Sequence, residues 1–254
     1  MGLQNNLTEK IREVESYFEL LDFLDDTLTT MTIVQENDTD KNFRINTELS
    51  KVMKANCYLM LYNLVEGTVN ESLNFIFSEI STQKIHKDNL KPLYKKIWID
   101  YKANLVKLVE TNKSAFPNTN QSDILEQIDT FEIIDYVEKK EDGKTYFAYD
   151  AYIKTINRKD ISGNLDVRHI RETLSTKYGF SHTPYDPHEV YSEHLVVVKN
   201  VRNKLAHGEE RFSEIGGRKS LAELVEIKNS VFEYLKTIVV SIDKFLVDED
   251  YKIA

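Results

Sequence analysis

Apolar residues recur at helical spacing in the first third of the chain. From Leu7 to Leu21 they follow one another at intervals of four and three residues, which predicts an amphipathic helix over about residues 3–31. Farther along, a continuous apolar stripe with the same periodicity predicts a second helix over about residues 47–81. Each of these helices therefore has one face that is expected to be buried against a neighbour.

Two more long helices are predicted in the last third of the chain. One runs from about residue 188 through the apolar run at residues 195–198, and Gly208 marks its end because glycine readily adopts the left-handed conformation of a helix C-terminus. The other follows Ser220 and Glu223, which have the spacing of a capping box, and carries a long apolar stripe.

The middle of the chain is predicted to hold shorter elements. We expect helices over about residues 89–112, 123–137 and 165–178, the last closed by Gly179, and one small hairpin around a turn at residues 141–144. The predicted fold is therefore all-α: a helical bundle of about four long core helices with inserted short helices and one small hairpin.

Composition favours one soluble domain. The 254 residues are 41% hydrophobic, and eight glycines and four prolines are too few to form a distinct linker, so residues 1–254 are predicted to be a single domain with a variable insertion around 113–187. The one cysteine, Cys57, lies among apolar residues and is predicted to be a buried structural thiol in a reducing compartment. With no signal-peptide pattern or membrane-length apolar run, the chain is expected to be cytoplasmic.

Charge restricts how this chain can bind nucleic acid. The net charge of −9 argues against a surface coated with phosphate-binding residues, so any such contact must be local. Residues 195–220 are the best local candidate, because six basic residues there outnumber three acidic ones; a solvated run of charges is the alternative interpretation. The basic residues are Lys199, Arg202, Lys204, Arg211, Arg218 and Lys219, and the acidic ones are Glu209, Glu210 and Glu214.

A polar stripe accompanies the apolar stripe of the second predicted helix. Its members share one helix face, and four of the five are asparagines. Because a solvent-facing stripe would be expected to carry lysine and glutamate, this composition indicates either a specific polar network or an ordinary exposed face. The members are Asn56, Asn63, Glu66, Asn70 and Asn74.

Arg202 and His207 combine the two chemical functions needed for RNA cleavage without a metal. Histidine moves protons near neutral pH, and the planar guanidinium of arginine suits phosphate oxygens. Asn203 is placed to orient substrate or the histidine, whereas Lys204 is either a phosphate contact or a solvated charge. By spacing alone, a histidine that merely caps the helix is the better explanation of the pair.

The run from Arg202 to His207 resembles the Arg-x4-His signature of the HEPN (higher eukaryotes and prokaryotes nucleotide-binding) superfamily. Residues 12–18, 61–68 and 162–166 are similar, in the same order, to further segments of one bacterial branch of HEPN-like nucleases. The resemblance implies an all-α domain that forms a homodimer, with arginine and histidine from both protomers lining one composite cleft. Catalytic members are ribonucleases of toxin–antitoxin, abortive-infection or other antiphage systems.

The resemblance, together with the chemistry of the pair, predicts an endoribonuclease that uses the 2′-hydroxyl of RNA as nucleophile and needs no metal or other cofactor. Its partners are then RNA, a second copy of the chain and an antitoxin or neighbouring defence protein, with no membrane involved. The predicted catalytic residues are Arg202, His207 and Asn203, and the predicted substrate-binding or supporting residues are Lys204, Glu66 and Asn63.

Two other functions are compatible with the sequence. His182, Asp186, His188 and His194 cluster around a proline-rich loop, which raises a metal-dependent hydrolase, although His188 and His194 are six residues apart rather than the three or four that place ligands on one helix face. The second is a noncatalytic HEPN-type module that binds a nucleotide or a protein within a defence complex, which the acidic net charge favours.

Overall fold

The structure is a computed structural model. The residues that it describes are 2–26, 30–33, 41–44, 46–83, 85, 89–94, 138–141, 144–147, 165–172, 174, 179–180 and 190–253.

Helices dominate the described residues, as the periodicity predicts. Four of them are long and confirm the predicted core helices: α1 (Leu3–Asp26), α2 (Thr47–Thr82), α4 (Val190–Ala206) and α6 (Leu221–Val247). Two are short, α3 (Val167–Glu172) and α5 (Phe212–Gly216). The all-α prediction is therefore confirmed. Among the described residues, none of the helices combines the length and the apolarity needed to cross a bilayer.

The end of α1 differs from the prediction. The helix ends at Asp26 instead of continuing to residue 31, and strand β1 (Thr30–Ile33) pairs antiparallel with β2 (Lys41–Arg44). Three of the four β1 residues are β-branched, and such residues lose side-chain freedom in a helix while they suit an extended strand. The hairpin was not predicted, because the helical periodicity of α1 was extended past the last position that supports it.

The predicted hairpin in the middle of the chain is confirmed. Strand β3 (Glu138–Glu141) pairs antiparallel with β4 (Lys144–Phe147), and Glu141 and Lys144, the two ends of the predicted turn, are paired with each other. Of the predicted helix at 165–178, α3 is the described part, and Gly179 has the expected left-handed backbone with φ of 69°. The helix predicted at 123–137 lies outside the described residues, as does most of the one at 89–112.

The chain divides into two compact units. The first comprises residues 1–69, 162–170 and 184–239, and the second comprises residues 70–161, 171–183 and 240–254. Helices α2 and α6 each contribute residues to both units. A single domain over residues 1–254 with an insertion around 113–187 stays a prediction.

In the first unit, α1 packs its apolar stripe into the interior. Leu7, Phe18 and Leu21 are at most 4% exposed, and the Tyr17 hydroxyl donates a 2.8 Å hydrogen bond to the Met53 carbonyl oxygen of α2. Cys57 is fully buried on α2, which confirms the predicted burial, and burial raises the pKa of its thiol to about 12. A thiol in this state is structural rather than reactive.

The second unit closes around the end of the chain. Leu90 and Lys252 form an isolated antiparallel bridge, and the Tyr251 hydroxyl donates a 2.6 Å hydrogen bond to Oε1 of Gln83. The rings of Phe180 and Phe245 meet edge to face with centroids 5.5 Å apart, a favourable arrangement for buried aromatic rings.

The start of α6 is fixed by the predicted capping box. The backbone N–H of Ser220 donates a 2.8 Å hydrogen bond to Oε2 of Glu223, and the Glu223 N–H donates to the Ser220 hydroxyl at 3.3 Å. The hydrogen bond from the Ser220 backbone, supported by Lys219, lowers the pKa of Glu223 to about 2. Two backbone-orienting bonds thus define where α6 begins.

Glycine is required where α5 meets α2. A Cβ atom added at Gly216 would overlap the backbone carbonyl of Lys51, whereas a Cβ at the neighbouring Gly217 would lie 3.4 Å from the Ser213 carbonyl oxygen, an ordinary contact. The backbone of Lys51 lies within α2 and cannot rotate away as a side chain would. Only glycine therefore permits this approach.

Gly216→Ala is expected to lower the free energy of unfolding by about 1–3 kcal/mol, because the added methyl group forces α5 away from α2. Gly217→Ala is the matched control and should stay within about 0.5 kcal/mol of the wild type. Urea denaturation followed by circular dichroism measures both values. Equal stability of the two variants would contradict the close approach.

Candidate active site

Helix α4, which carries the Arg-x4-His motif, is terminated just before His207 by two backbone hydrogen bonds. The N–H of Glu209 donates to the Lys204 carbonyl oxygen at 2.9 Å, and the N–H of Gly208 donates to the Leu205 carbonyl oxygen at 3.2 Å. With φ of 69° at Gly208, these two bonds form a Schellman motif and confirm the predicted helix end. His207 is thereby placed as the last residue before the reversal, and it is exposed.

The guanidinium of Arg202 is held by an aromatic ring. It lies 4.5 Å from the ring centroid of Tyr62 on α2, within the range of a cation–π interaction, and its Nη1 donates a 3.1 Å hydrogen bond to Oδ1 of Asn203. Arg202 is half-buried, whereas Tyr62 is only 1% exposed. The ring is thus a fixed surface against which the arginine is placed.

A short segment before α3 connects the helices beneath this arginine. The backbone N–H of Leu165 donates a 3.3 Å hydrogen bond to the Tyr62 hydroxyl oxygen. The next residue, Asp166, caps α3 by accepting a 2.8 Å hydrogen bond from the His169 N–H, and its other oxygen accepts a 2.6 Å bond from Nζ of Lys199. Residues 165 and 166 therefore fix both α2 and α4 close to Arg202.

The carboxyl group of Asp166 is ionised in this arrangement. Burial by itself would raise its pKa, but the hydrogen bonds from Lys199 and from the His169 backbone outweigh that effect and lower the pKa below its usual value of 3.8. The Lys199–Asp166 pair is shielded from solvent, with side chains 19% and 17% exposed. Such a pair is screened less by salt than an exposed one.

Most positive charges of the 195–220 segment are neutralised. Glu210 forms ion pairs with Lys204, at 2.6 Å, and with Arg218, and these bonds lower the pKa of Glu210. Four of the six basic residues in the segment are paired with carboxylates in this way, the other two pairs being Lys199–Asp166 and Lys219–Glu223. Among the described residues, the side chain of Arg202 has no carboxylate partner: its ring contact is to Tyr62 and its hydrogen bond is to Asn203, both neutral.

The predicted site residues are brought together only in part. Arg202 and Asn203 meet each other and Tyr62, whereas the exposed His207 side chain makes no hydrogen bond or ion pair with any residue that the structure describes. Lys204 is bound to Glu210. A role in catalysis for any of these residues stays a prediction.

Asn63 and Glu66 lie on α2 near Tyr62, the residue whose ring contacts the Arg202 guanidinium. Asn63 is exposed and adjacent in sequence to Tyr62, and Glu66 is half-buried one helical turn after Tyr62. Tyr62 itself was missed by the sequence analysis, although it lies in the segment 61–68 that resembles the HEPN pattern. The signal that points to it is a large aromatic residue inside a similar segment, next to polar candidates.

The residues proposed for a metal site are mostly outside the described part of the chain. His182, Asp186 and His188 lie there, and the remaining candidate, His194, has its Nδ1 2.8 Å from the Ser230 hydroxyl oxygen. Within the described residues, no group of three or more histidine, cysteine, aspartate or glutamate side chains is arranged to hold a metal ion.

Comparison with known proteins identifies a family across almost the whole chain. The family model described as HEPN_MAE_28990-like HEPN matches residues 2–251. No curated protein and no solved structure matches. The family match covers α1 through α6, so it includes the stacked arginine as well as the C-terminal turn that carries His207.

The two functions of Asp166 can be separated by substitution. Asp166→Asn loses the charge that pairs with Lys199 but keeps an oxygen that can cap α3, whereas Asp166→Ala loses both and is expected to be about 1 kcal/mol less stable than Asp166→Asn.

Because the folded pKa of Asp166 is lowered, its stabilising effect is present above pH 3.8 and is lost as pH falls below that value. Urea denaturation at pH 7 and again below pH 3.8 should therefore show the gap between wild type and Asp166→Asn narrowing on acidification; a constant gap would contradict the charged pair.

Proposed function

The chain belongs to the HEPN_MAE_28990-like HEPN family, and from this premise we propose that it is a metal-independent endoribonuclease in which Arg202 and His207 carry out the chemistry. The observation that carries the proposal is the setting of Arg202. It is the one basic residue of α4's last two turns that is fixed in place by neutral groups, while Lys199 and Lys204 are paired with carboxylates. An arginine kept in this way retains its charge for an anion.

The proposed reaction is displacement at phosphorus by the neighbouring 2′-hydroxyl of RNA. A base removes the 2′-hydroxyl proton, the 2′-oxygen forms a bond to phosphorus, and the bond to the 5′-oxygen breaks as that oxygen takes up a proton from an acid. The products are a 2′,3′-cyclic phosphate and a 5′-hydroxyl end. His207 serves the proton transfers, and Arg202 stabilises the charge that develops on the phosphoryl oxygens.

We further propose that two copies of the chain form the complete site. The reaction needs both a base and an acid, and the Arg-x4-His motif supplies one histidine per chain. Two copies related by a twofold axis bring two histidines to one cleft, so that one accepts the first proton and its mate donates the second. Asn203 then orients Arg202, and Asn63 and Glu66 stand beside the substrate as supporting residues.

The biological role proposed for this activity is defence. An RNase that degrades cellular RNA is toxic to its own cell, which fits a toxin restrained by an antitoxin or by a neighbouring defence protein. The paired cations around Glu210 favour a second candidate, a noncatalytic HEPN-type module that binds a nucleotide or protein, because such a module needs no broad RNA-binding surface. Cleavage assays separate the two.

Arg202→Ala and His207→Ala are each expected to reduce the rate of RNA cleavage by about 10²–10⁴-fold, the range for removing a group that stabilises charge or transfers protons. Arg171→Ala, which removes an exposed arginine of α3, is the matched control and should cleave at the wild-type rate. The assay incubates purified protein with total cellular RNA and sequences the new ends, which should carry 2′,3′-cyclic phosphates. Equal cleavage by all four proteins, or no cleavage by the wild type, would refute the proposal.

RNA cleavage is expected to persist in excess EDTA, because neither proposed proton transfer nor charge stabilisation uses a metal ion. His194→Gln, which removes a candidate ligand of the alternative metal site, should leave the rate unchanged once comparable folding has been verified by circular dichroism. Cleavage that stops in EDTA and returns on addition of a divalent cation would favour the metal-dependent hydrolase instead.

A further inference from the structure

We propose that Tyr62 is a positioning residue that fixes the guanidinium of Arg202 for contact with a phosphate group of RNA. This inference rests on the proposed ribonuclease function and deepens it, since it assigns a role to a residue outside the Arg-x4-His motif. Three observations carry it: the position of the Arg202 Cζ atom 4.5 Å from the ring centroid, the burial of the ring, and the hydrogen bond that the Tyr62 hydroxyl oxygen accepts from the Leu165 N–H.

An aromatic partner leaves the positive charge of Arg202 available for a phosphate, whereas a carboxylate partner would not. A carboxylate would hold the guanidinium through its N–H groups, and it would occupy the donors that a phosphate needs while cancelling their charge. An aromatic ring instead contacts the face of the guanidinium and leaves the N–H groups at its edge available. Only one of these N–H groups is engaged by Asn203 in the structure. Arg202 is thus held and still able to bind a phosphate in a bidentate manner.

The ring is itself held at two ends. Tyr62 belongs to α2 and is 1% exposed, so its ring plane is set by packing, and its hydroxyl oxygen accepts the Leu165 N–H. Asp166, the next residue, binds Lys199, which precedes Arg202 by three residues on the same face of α4. The ring and the helix that carries the arginine are therefore fixed to the same short segment, which limits their relative movement.

The test compares Tyr62→Phe with Tyr62→Leu. Phenylalanine keeps the buried ring and loses only the hydrogen bond from Leu165, so it should retain cleavage within about threefold of the wild type. Leucine removes the ring and should lower kcat/KM roughly tenfold, the effect of a cation–π contact of moderate strength. Tyr94→Leu, a fully buried tyrosine of the second unit, is the matched control for loss of packing and should keep the wild-type kcat/KM. Thermal denaturation establishes that all variants are folded at the assay temperature.

Two further readings separate this inference from the ribonuclease proposal. The first is the NMR chemical shift of the Arg202 Nε–H proton, whose signal is assigned by its loss in Arg202→Lys. The ring should move this signal upfield in the wild type and in Tyr62→Phe, and the chemical shift should return to that of an exposed arginine in Tyr62→Leu. A 2′-O-methyl oligoribonucleotide, which cannot be cleaved, should bind Tyr62→Leu several-fold more weakly than Tyr62→Phe.

The outcomes are distinguishable. If the wild type cleaves RNA and Tyr62→Leu cleaves equally well, or if Tyr94→Leu loses as much activity as Tyr62→Leu, the positioning role is refuted while the ribonuclease stands. If the wild type cleaves no RNA but binds the 2′-O-methyl oligoribonucleotide in a way that depends on the Tyr62 ring, the ribonuclease proposal fails and Tyr62 still positions Arg202 for phosphate. Absence of both the upfield shift and ring-dependent binding overturns the inference.

Discussion

The cation–π contact between Arg202 and the ring of Tyr62 is the interaction on which the candidate site depends. A guanidinium that leaves bulk water needs compensation, and the usual source is a carboxylate. Here the compensation comes from a ring face and an asparagine oxygen. The ring can hold the guanidinium in place only if the ring itself does not rotate. The burial of Tyr62 and the hydrogen bond that its hydroxyl accepts from the Leu165 N–H restrict that rotation.

Around this contact, most of the nearby basic side chains are neutralised by carboxylates. The chain carries a net charge of −9, and the acidic side chains Asp166, Glu210 and Glu223 each hold a cation of the segment that looked positive in the sequence. Such pairs contribute modestly to stability when exposed, but they remove charge that would attract nucleic acid without regard to position. Among the described residues, this leaves two basic residues of the segment without a carboxylate partner, Arg202 and Arg211, and Arg202 is the one that lies on α4 with neutral groups around it.

The sequence predicts local features better than long-range ones. Gly208 and the Ser220–Glu223 capping box act within a few residues of themselves, and both helix boundaries are found where these signals place them. The predicted length of α1 was wrong because the helical repeat continues by chance into residues that favour a strand. Tyr62 and Asp166 could not be assigned, because their partners Arg202 and Lys199 lie far away in sequence and neither pairing leaves a periodic pattern.

Arg202 and His207 are held in different ways, and the difference bears on how a complete site forms. The arginine is fixed by side chains from α2 and α4 and by the segment at 165–166, whereas the histidine is placed only through the backbone bonds that end α4. An exposed imidazole loses no rotamer freedom until something packs against it, and proton transfer requires that freedom to be lost. Under the proposed mechanism, the second copy of the chain and the bound RNA are what would order His207. Under that mechanism, a fixed arginine and an unfixed histidine would make the site active only when the second copy and the substrate are both in place.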